Sequence, residues 1–288
     1  LTIAPYSMNM PPPHIGRVVL VVSNLDRSVD FYTQIIGLTL HHRVDSIAEL
    51  GTETDTLLTL HEQPDAYPIR RAAGLYHFAL LLPSRLDLAV TLRHLLQVDA
   101  PISGFADHAV SEAIYLTDPD GHGIEIYRDR PRNEWRYPNG QLRMTVNPID
   151  FEGIMAELEQ RPSGWSGLPA GTLIGHIHLQ VADIPASENF YINLLGFDLV
   201  TRYGAGASFL SANGYHHHFG LNTWAGVGLP PAPAEAARLL WYEILFPDKN
   251  VVQAIETQLS KLSYPYKFEN GMLKLSDPSG IQILLTAS

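Results

Sequence analysis

Residues 17–38, RVVLVVSNLDRSVDFYTQIIGL, have a second copy at 176–197, HIHLQVADIPASENFYINLLGF. The two align without a gap at an offset of 159, with six identities that include Phe31/Phe190, Tyr32/Tyr191 and Gly37/Gly196. Each reads as an apolar strand followed by a capped helix that ends near a glycine. The same offset sets LTDPDG at 116–121 beside LSDPSG at 275–280. Self-similarity at a fixed spacing is the mark of a duplicated structural unit. The reading is therefore a first domain at 1–130, a linker at 131–171 and a second domain at 172–288.

Each copy divides again. GLYHFALLLPSRLDLAVTLRHLL at 74–96 and LLWYEILFPDKNVVQAIETQLS at 239–260 are further strand-then-amphipathic-helix segments, each leading into more strands. The expectation is an α+β chain of four βαβββ units beginning near residues 14, 75, 172 and 238. They would form two half-closed mixed sheets with the helices outside. A short helix is expected in the linker at 151–160, between Pro-rich and Gly-rich ends.

Within the second unit, 108–125 read HAVSEAIYLTDPDGHGIE. Ile114 and Leu116 alternate with Tyr115 and Thr117, a DPDG turn follows, and Ile124, Glu125 and Ile126 resume the pattern, so this is a hairpin. A carboxylate buried beside two isoleucines needs a cation, a metal or a proton. The plainer alternative is a Glu125 that faces solvent. His122, at the turn, reads as exposed and uninvolved.

Composition narrows the chemistry. A net charge of −11 argues against nucleic acid or an anionic membrane as partner. No apolar run reaches the length of a membrane span, and 1–16 do not resemble a signal peptide, so a cytoplasmic location is expected. With no cysteine, disulfides and thiolate metal sites are excluded, and a transition metal would need His and carboxylate ligands.

Four βαβββ units, the FY…LG helix and the pattern H-x6-Y-x2-DPDG-x3-E resemble the vicinal oxygen chelate superfamily, and within it the type I extradiol ring-cleaving dioxygenases. The likeness to bacterial catechol 2,3-dioxygenases covers nearly the whole chain. The hairpin motif is the specific part, although Ala106 departs from the usual signature; the FY…LG helix alone would identify only the superfamily.

The resemblance implies Fe(II), with Mn(II) also suited, bound by two His and one Glu with open positions for a catechol and dioxygen. The product would be a muconic semialdehyde. Carried onto this chain, the glutamate is Glu125 and the histidine that opens the same unit is His77. The third ligand should open the partner unit. The first unit has Arg17 there, which cannot bind iron; the third has His176, with His178 on the same strand face; the fourth has Trp241 or Tyr242 near its start and Gln282 near its end. A complete set, His77, Glu125 and His176, exists only if units two and three meet.

Around that set the resemblance implies Tyr115 near a substrate oxygen, His108 hydrogen-bonding substrate, and a proton-handling histidine in SANGYHHHFGLN at 211–222. His218 is the expected acid/base, with His216 or His217 as alternatives. The loop NTWAGVGLPPAPAEAA at 222–237 is expected to form a lid or pocket wall. The expected partners are a small catechol-type substrate and dioxygen, with no nucleic acid or membrane; homo-oligomerisation through sheet edges or the linker is compatible with the fold. The other readings are a glyoxalase-like metal-dependent lyase or isomerase, and a protein that binds a small aromatic ligand without chemistry.

Overall fold

The structure, a computed structural model, describes residues 12–160 and 164–287, so most of the segment read as lacking a signal peptide lies outside it. Unit one supplies β1 (His14–Val22), β2 (Thr39–Val44), β3 (Ile47–Gly51) and β4 (Thr56–Glu62), and a short β5 (Tyr67–Pro68) follows. Unit two supplies β6 (Gly74–Leu82), β7 (Ile102–Asp107), β8 (Ser111–Thr117) and β9 (Gly123–Asp129). Unit three supplies β10 (Leu173–Gln180), β11 (Asp198–Tyr203), β12 (Ala207–Ser211) and β13 (Phe219–Asn222), and a short β14 (Ala236–Ala237) pairs with β5. Unit four supplies β15 (Leu239–Phe246), β16 (Tyr266–Glu269), β17 (Met272–Ser276) and β18 (Gln282–Ala287).

The helices are α1 (Leu25–Asp30), α2 (Arg85–Gln97), α3 (Phe151–Ala156), α4 (Ile184–Glu188) and α5 (Lys249–Lys261). Asn24, Ser84, Asp183 and Asp248 cap the four unit helices through side-chain oxygens, as polar residues before an apolar period should. α1 and α4 each widen into a π-type turn that carries the FY pair, and Gly37 ends the first of these at φ 90°.

Two mixed eight-stranded sheets result, and neither is confined to one half of the chain. The first runs β16-β17-β18-β15-β1-β4-β3-β2, joining units four and one; the second runs β11-β12-β13-β10-β6-β9-β8-β7, joining units three and two. In the second, β10 lies antiparallel to β6 and sets His178 opposite His77. Within each unit the first strand runs parallel to the last, as β6 does to β9. The pairing that a complete ligand set requires is the one the chain adopts.

The repeated motifs hold the two sheets together. The hydroxyl of Tyr32, from the FY pair of unit one, donates to Asp118 of the DPDG turn at 2.9 Å, and Tyr191 lies 3.3 Å from Asp277 of the DPSG turn. Each aspartate also accepts two backbone N–H groups of its own turn. Both motifs are thus the two ends of one buried hydrogen bond between units. One continuous apolar core, including Val18, Leu20, Phe78, Leu80, Ile124, Ile126, Ile177 and Leu179, fills one face of both sheets.

His122 departs from expectation. It is buried, and its Nε2 donates to the carbonyl of Val21 at 3.0 Å. The hairpin turn docks against β1 of the other sheet, so a turn that would face water in an isolated hairpin is covered.

Candidate metal centre

Strand alternation delivers the site. Along β6, Phe78, Leu80 and Leu82 enter the core and His77, Ala79 and Leu81 take the other face; along β9, Ile124 and Ile126 enter the core and Glu125 and Tyr127 take the other face. On β10 a register shift between Ile174 and His176 sets His176 opposite Ala79, whose other neighbour is Glu125. His176 and Glu125 therefore flank a methyl side chain on the middle strand and meet over it. A larger residue at 79 would stand between them.

His77, Glu125 and His176 are all buried, with ligand atoms within 4.8 Å of one another. His77 Nε2 lies 3.0 Å and His176 Nε2 3.1 Å from the same Glu125 Oε2. The His77 contact has the distance of a hydrogen bond without its alignment, so that buried nitrogen has no hydrogen-bond partner. Burial alone would raise the Glu125 carboxyl, but the imidazoles of His176 and His77 hold it well below the usual carboxylate range. Burial lowers His176 to about 4, the direction that favours the neutral imidazole a metal requires. Two imidazoles converging on one carboxylate fit a divalent transition metal, with His77 Nε2, Glu125 Oε2 and His176 Nε2 as donors. Glu125 does not face solvent: it is 2% exposed. Arg17 sits on the other sheet in an ion pair with Glu49 at 3.2 Å.

A cavity of about 830 Å³ opens over this cluster, and His77, Glu125, His108, Tyr115, His178 and His217 line it. His108 Nδ1 donates to the carbonyl of Thr145 at 2.7 Å, so in that tautomer its Nε2, 2.7 Å from the Tyr115 hydroxyl, is the acceptor. Tyr115 lies opposite Glu125 in the β8/β9 register, and burial, then Glu125, raises its phenol. It remains a donor across the working pH range. Thr145 belongs to the linker, where no motif in the sequence points to the site.

The three consecutive histidines occupy a turn before β13, which begins only at Phe219, so strand alternation does not govern them. His218 points away from the cavity: its Nδ1 accepts from the Ala212 N–H at 3.2 Å and lies 3.1 Å from the Ser211 hydroxyl, and burial lowers it to about 3. His218, the expected acid/base, is therefore not among the residues that line the cavity. His217 lines the cavity instead, its ring centroid 4.1 Å from that of His176. Burial lowers its imidazole well below the ordinary value.

The sequence marks His178 only as a face-mate of His176. It lies buried with its ring 5.0 Å from that of His77, and its Nε2 has no hydrogen-bond partner. Gly220 on β13 makes room for it, since a Cβ there would come within 2.7 Å of the His178 ring. Tyr76 and Trp224 stand over the same ring, at 5.0 and 5.3 Å between centroids. Trp224 brings the loop at 222–237 to the cavity as a wall. Among the described residues no helix is long and apolar enough to cross a membrane.

The chain matches the family model of the Glyoxalase/Bleomycin resistance protein/Dioxygenase superfamily over residues 14–126 and 173–234. It is 42% identical over 270 residues to the catechol-2,3-dioxygenase of Bacillus subtilis (strain 168), covering 92% of this chain and 94% of that protein. It is 35% identical over 123 residues to the 3-methylcatechol 2,3-dioxygenase of Pseudomonas putida F1, covering 40% of this chain and 35% of that protein. Glyoxalase I from Zea mays has the same fold, with a TM-score of 0.56 at 16% identity over 96% of this chain and 92% of that one. The chain belongs to the Glyoxalase/Bleomycin resistance protein/Dioxygenase superfamily and, within it, to the extradiol ring-cleaving catechol 2,3-dioxygenases.

Proposed function

We propose that this chain cleaves a catechol, or a substituted catechol, with dioxygen beside one of the two hydroxyl-bearing carbons, on a metal held by His77, Glu125 and His176. The observation that carries the reading is the convergence of two imidazole nitrogens on one Glu125 oxygen, at 3.0 and 3.1 Å, beneath a cavity wide enough for an aromatic ring. Fe(II) is the metal proposed: His77, Glu125 and His176 would hold it, and it would supply the electron transfer between a catechol and dioxygen.

The chain's own residues supply positioning and proton management. Tyr115 holds its hydroxyl over the Glu125 side of the cluster, where its hydrogen would turn from His108 Nε2 to negative charge developing on a substrate oxygen. His108, fixed by the Thr145 carbonyl, orients that hydroxyl. His217, beside His176 and lowered by burial, takes the acid/base role for which the resemblance put His218 first and His216 or His217 as alternatives. Tyr76, Trp224 and Phe209 give a flat ring aromatic surfaces against which to lie.

The test is aerobic incubation of protein loaded with Fe(II), and separately with Mn(II), with catechol. Oxygen uptake matched by the yellow ring-fission product supports the reading, and the more active metal identifies the cofactor. Binding of zinc or nickel with no oxygen uptake under any metal would replace it with a lyase or isomerase.

A further inference from the structure

The histidine that lines the cavity is backed by two further groups that the reaction outlined above does not use. His216 is fully buried, and both of its ring nitrogens are engaged: Nε2 lies 2.8 Å from Asp129 Oδ1 and Nδ1 lies 2.8 Å from Nδ1 of His217. Asp129 ends β9, the strand that carries Glu125, and its side chain is 26% exposed. The hydroxyl of the neighbouring Tyr215 lies 2.7 Å from that of Tyr127, whose ring lies 4.8 Å from that of His176.

With His216 neutral, hydrogen-bond logic gives the chain one direction. A carboxylate can only accept, so Nε2 of His216 carries the hydrogen that meets Asp129. In a neutral imidazole the other nitrogen is then bare, so Nδ1 of His216 accepts and Nδ1 of His217 donates. The remaining nitrogen of His217, Nε2, is left as a lone pair. It belongs to the ring that lines the cavity and lies beside His176.

We propose that Asp129 and His216 are positioning residues that lock His217 in its Nδ1–H tautomer and so present a bare Nε2 to a substrate hydroxyl in the cavity. When the substrate O–H bond breaks, its proton forms the new bond at Nε2 of His217. The Nδ1 hydrogen of His217 can then pass to His216, and the Nε2 hydrogen of His216 to Asp129, so the positive charge never rests on the buried ring beside His176. The reverse order returns the proton to product. The tautomer follows from these hydrogen bonds with His216 neutral; only the identity of the proton donor rests on the ring-cleavage reading.

The test begins with metal-free wild-type protein labelled with nitrogen-15 at histidine, whose imidazole resonances report which nitrogen carries hydrogen. The expected result is a single His217 tautomer, protonated at Nδ1; protonation at Nε2 overturns the proposal. Asp129→Ala removes the acceptor of the His216 Nε2 hydrogen, so the His217 tautomer should become mixed or reverse. In the metal-loaded enzyme the same variant should lose kcat on the order of a hundredfold, the lower range for a positioned acid or base, with metal content and KM for catechol unchanged. An unaltered tautomer and kcat in Asp129→Ala would overturn the relay. If wild-type protein fails to cleave catechol while the tautomer is as expected, the ring-cleavage reading fails and the relay stands.

Discussion

The Nε2 of His176 lies 3.1 Å from Oε2 of Glu125, although the two residues are 51 positions apart and belong to different copies of the duplicated domain. Neither copy holds a complete set of donors. Units one and four contribute Arg17, Trp241 and Leu284 at the corresponding places in their own sheet, none of them a ligand for a transition metal. The three residues converge because β10 pairs with β6.

Ala79 is the point on which that arrangement turns. It stands between His176 and Glu125 on the middle of three adjacent strands. Ala79→Leu should abolish metal binding while the protein keeps its folded circular dichroism spectrum, since the added atoms fall where the two donors meet. Retained stoichiometric metal in this variant would show that the donors do not meet over residue 79.

Tyr115 is expected to act on charge that develops during the reaction rather than on the metal itself. Tyr115→Phe should lower kcat by ~10² to 10³, the range for loss of one aimed donor, and leave metal content unchanged. Steady-state kinetics alongside metal analysis check this. An unaltered kcat would place the phenol outside the reacting region.

Asp277, in unit four, gives the fold a pH dependence of its own. Burial raises its carboxyl from 3.8 to about 6, despite hydrogen bonds from Ile281, Ser279 and Tyr191. The folded state therefore holds this proton more tightly than the unfolded chain. Its stabilising contribution is full below the unfolded value and is lost as pH rises through the folded one, amounting to roughly 3 kcal/mol for a shift of this size. Asp277→Asn should gain stability relative to wild type by up to that amount between about pH 4 and pH 7. Urea denaturation of both proteins across this range measures it; parallel curves would contradict the assignment.

Much of this architecture is legible in the sequence because it rests on short-range regularities. The gap-free repeat shows the units, strand alternation sets Glu125 and Tyr115 on one face, and Arg17 excludes the first unit as partner. What escapes depends on contacts between distant segments. The three histidines at 216–218 read as strand residues, but they lie in a turn, where alternation gives no direction, and His217 rather than His218 faces the cavity. His122 reads as exposed because a hairpin turn usually is, and only the docking of that turn on β1 of the other sheet buries it. The Thr145 carbonyl that fixes His108 comes from a linker with no motif to mark it.

The cross-copy centre is tested most directly by the metal content of His176→Ala measured beside wild type and His77→Ala, after identical loading with Fe(II) under anaerobic conditions. Wild type should retain an equivalent of metal per chain, and both variants should lose it, because each removes one of three donors from a buried site. Full metal binding in His176→Ala, with loss in His77→Ala, would mean that the second copy contributes no ligand and that the centre is not assembled across the duplication.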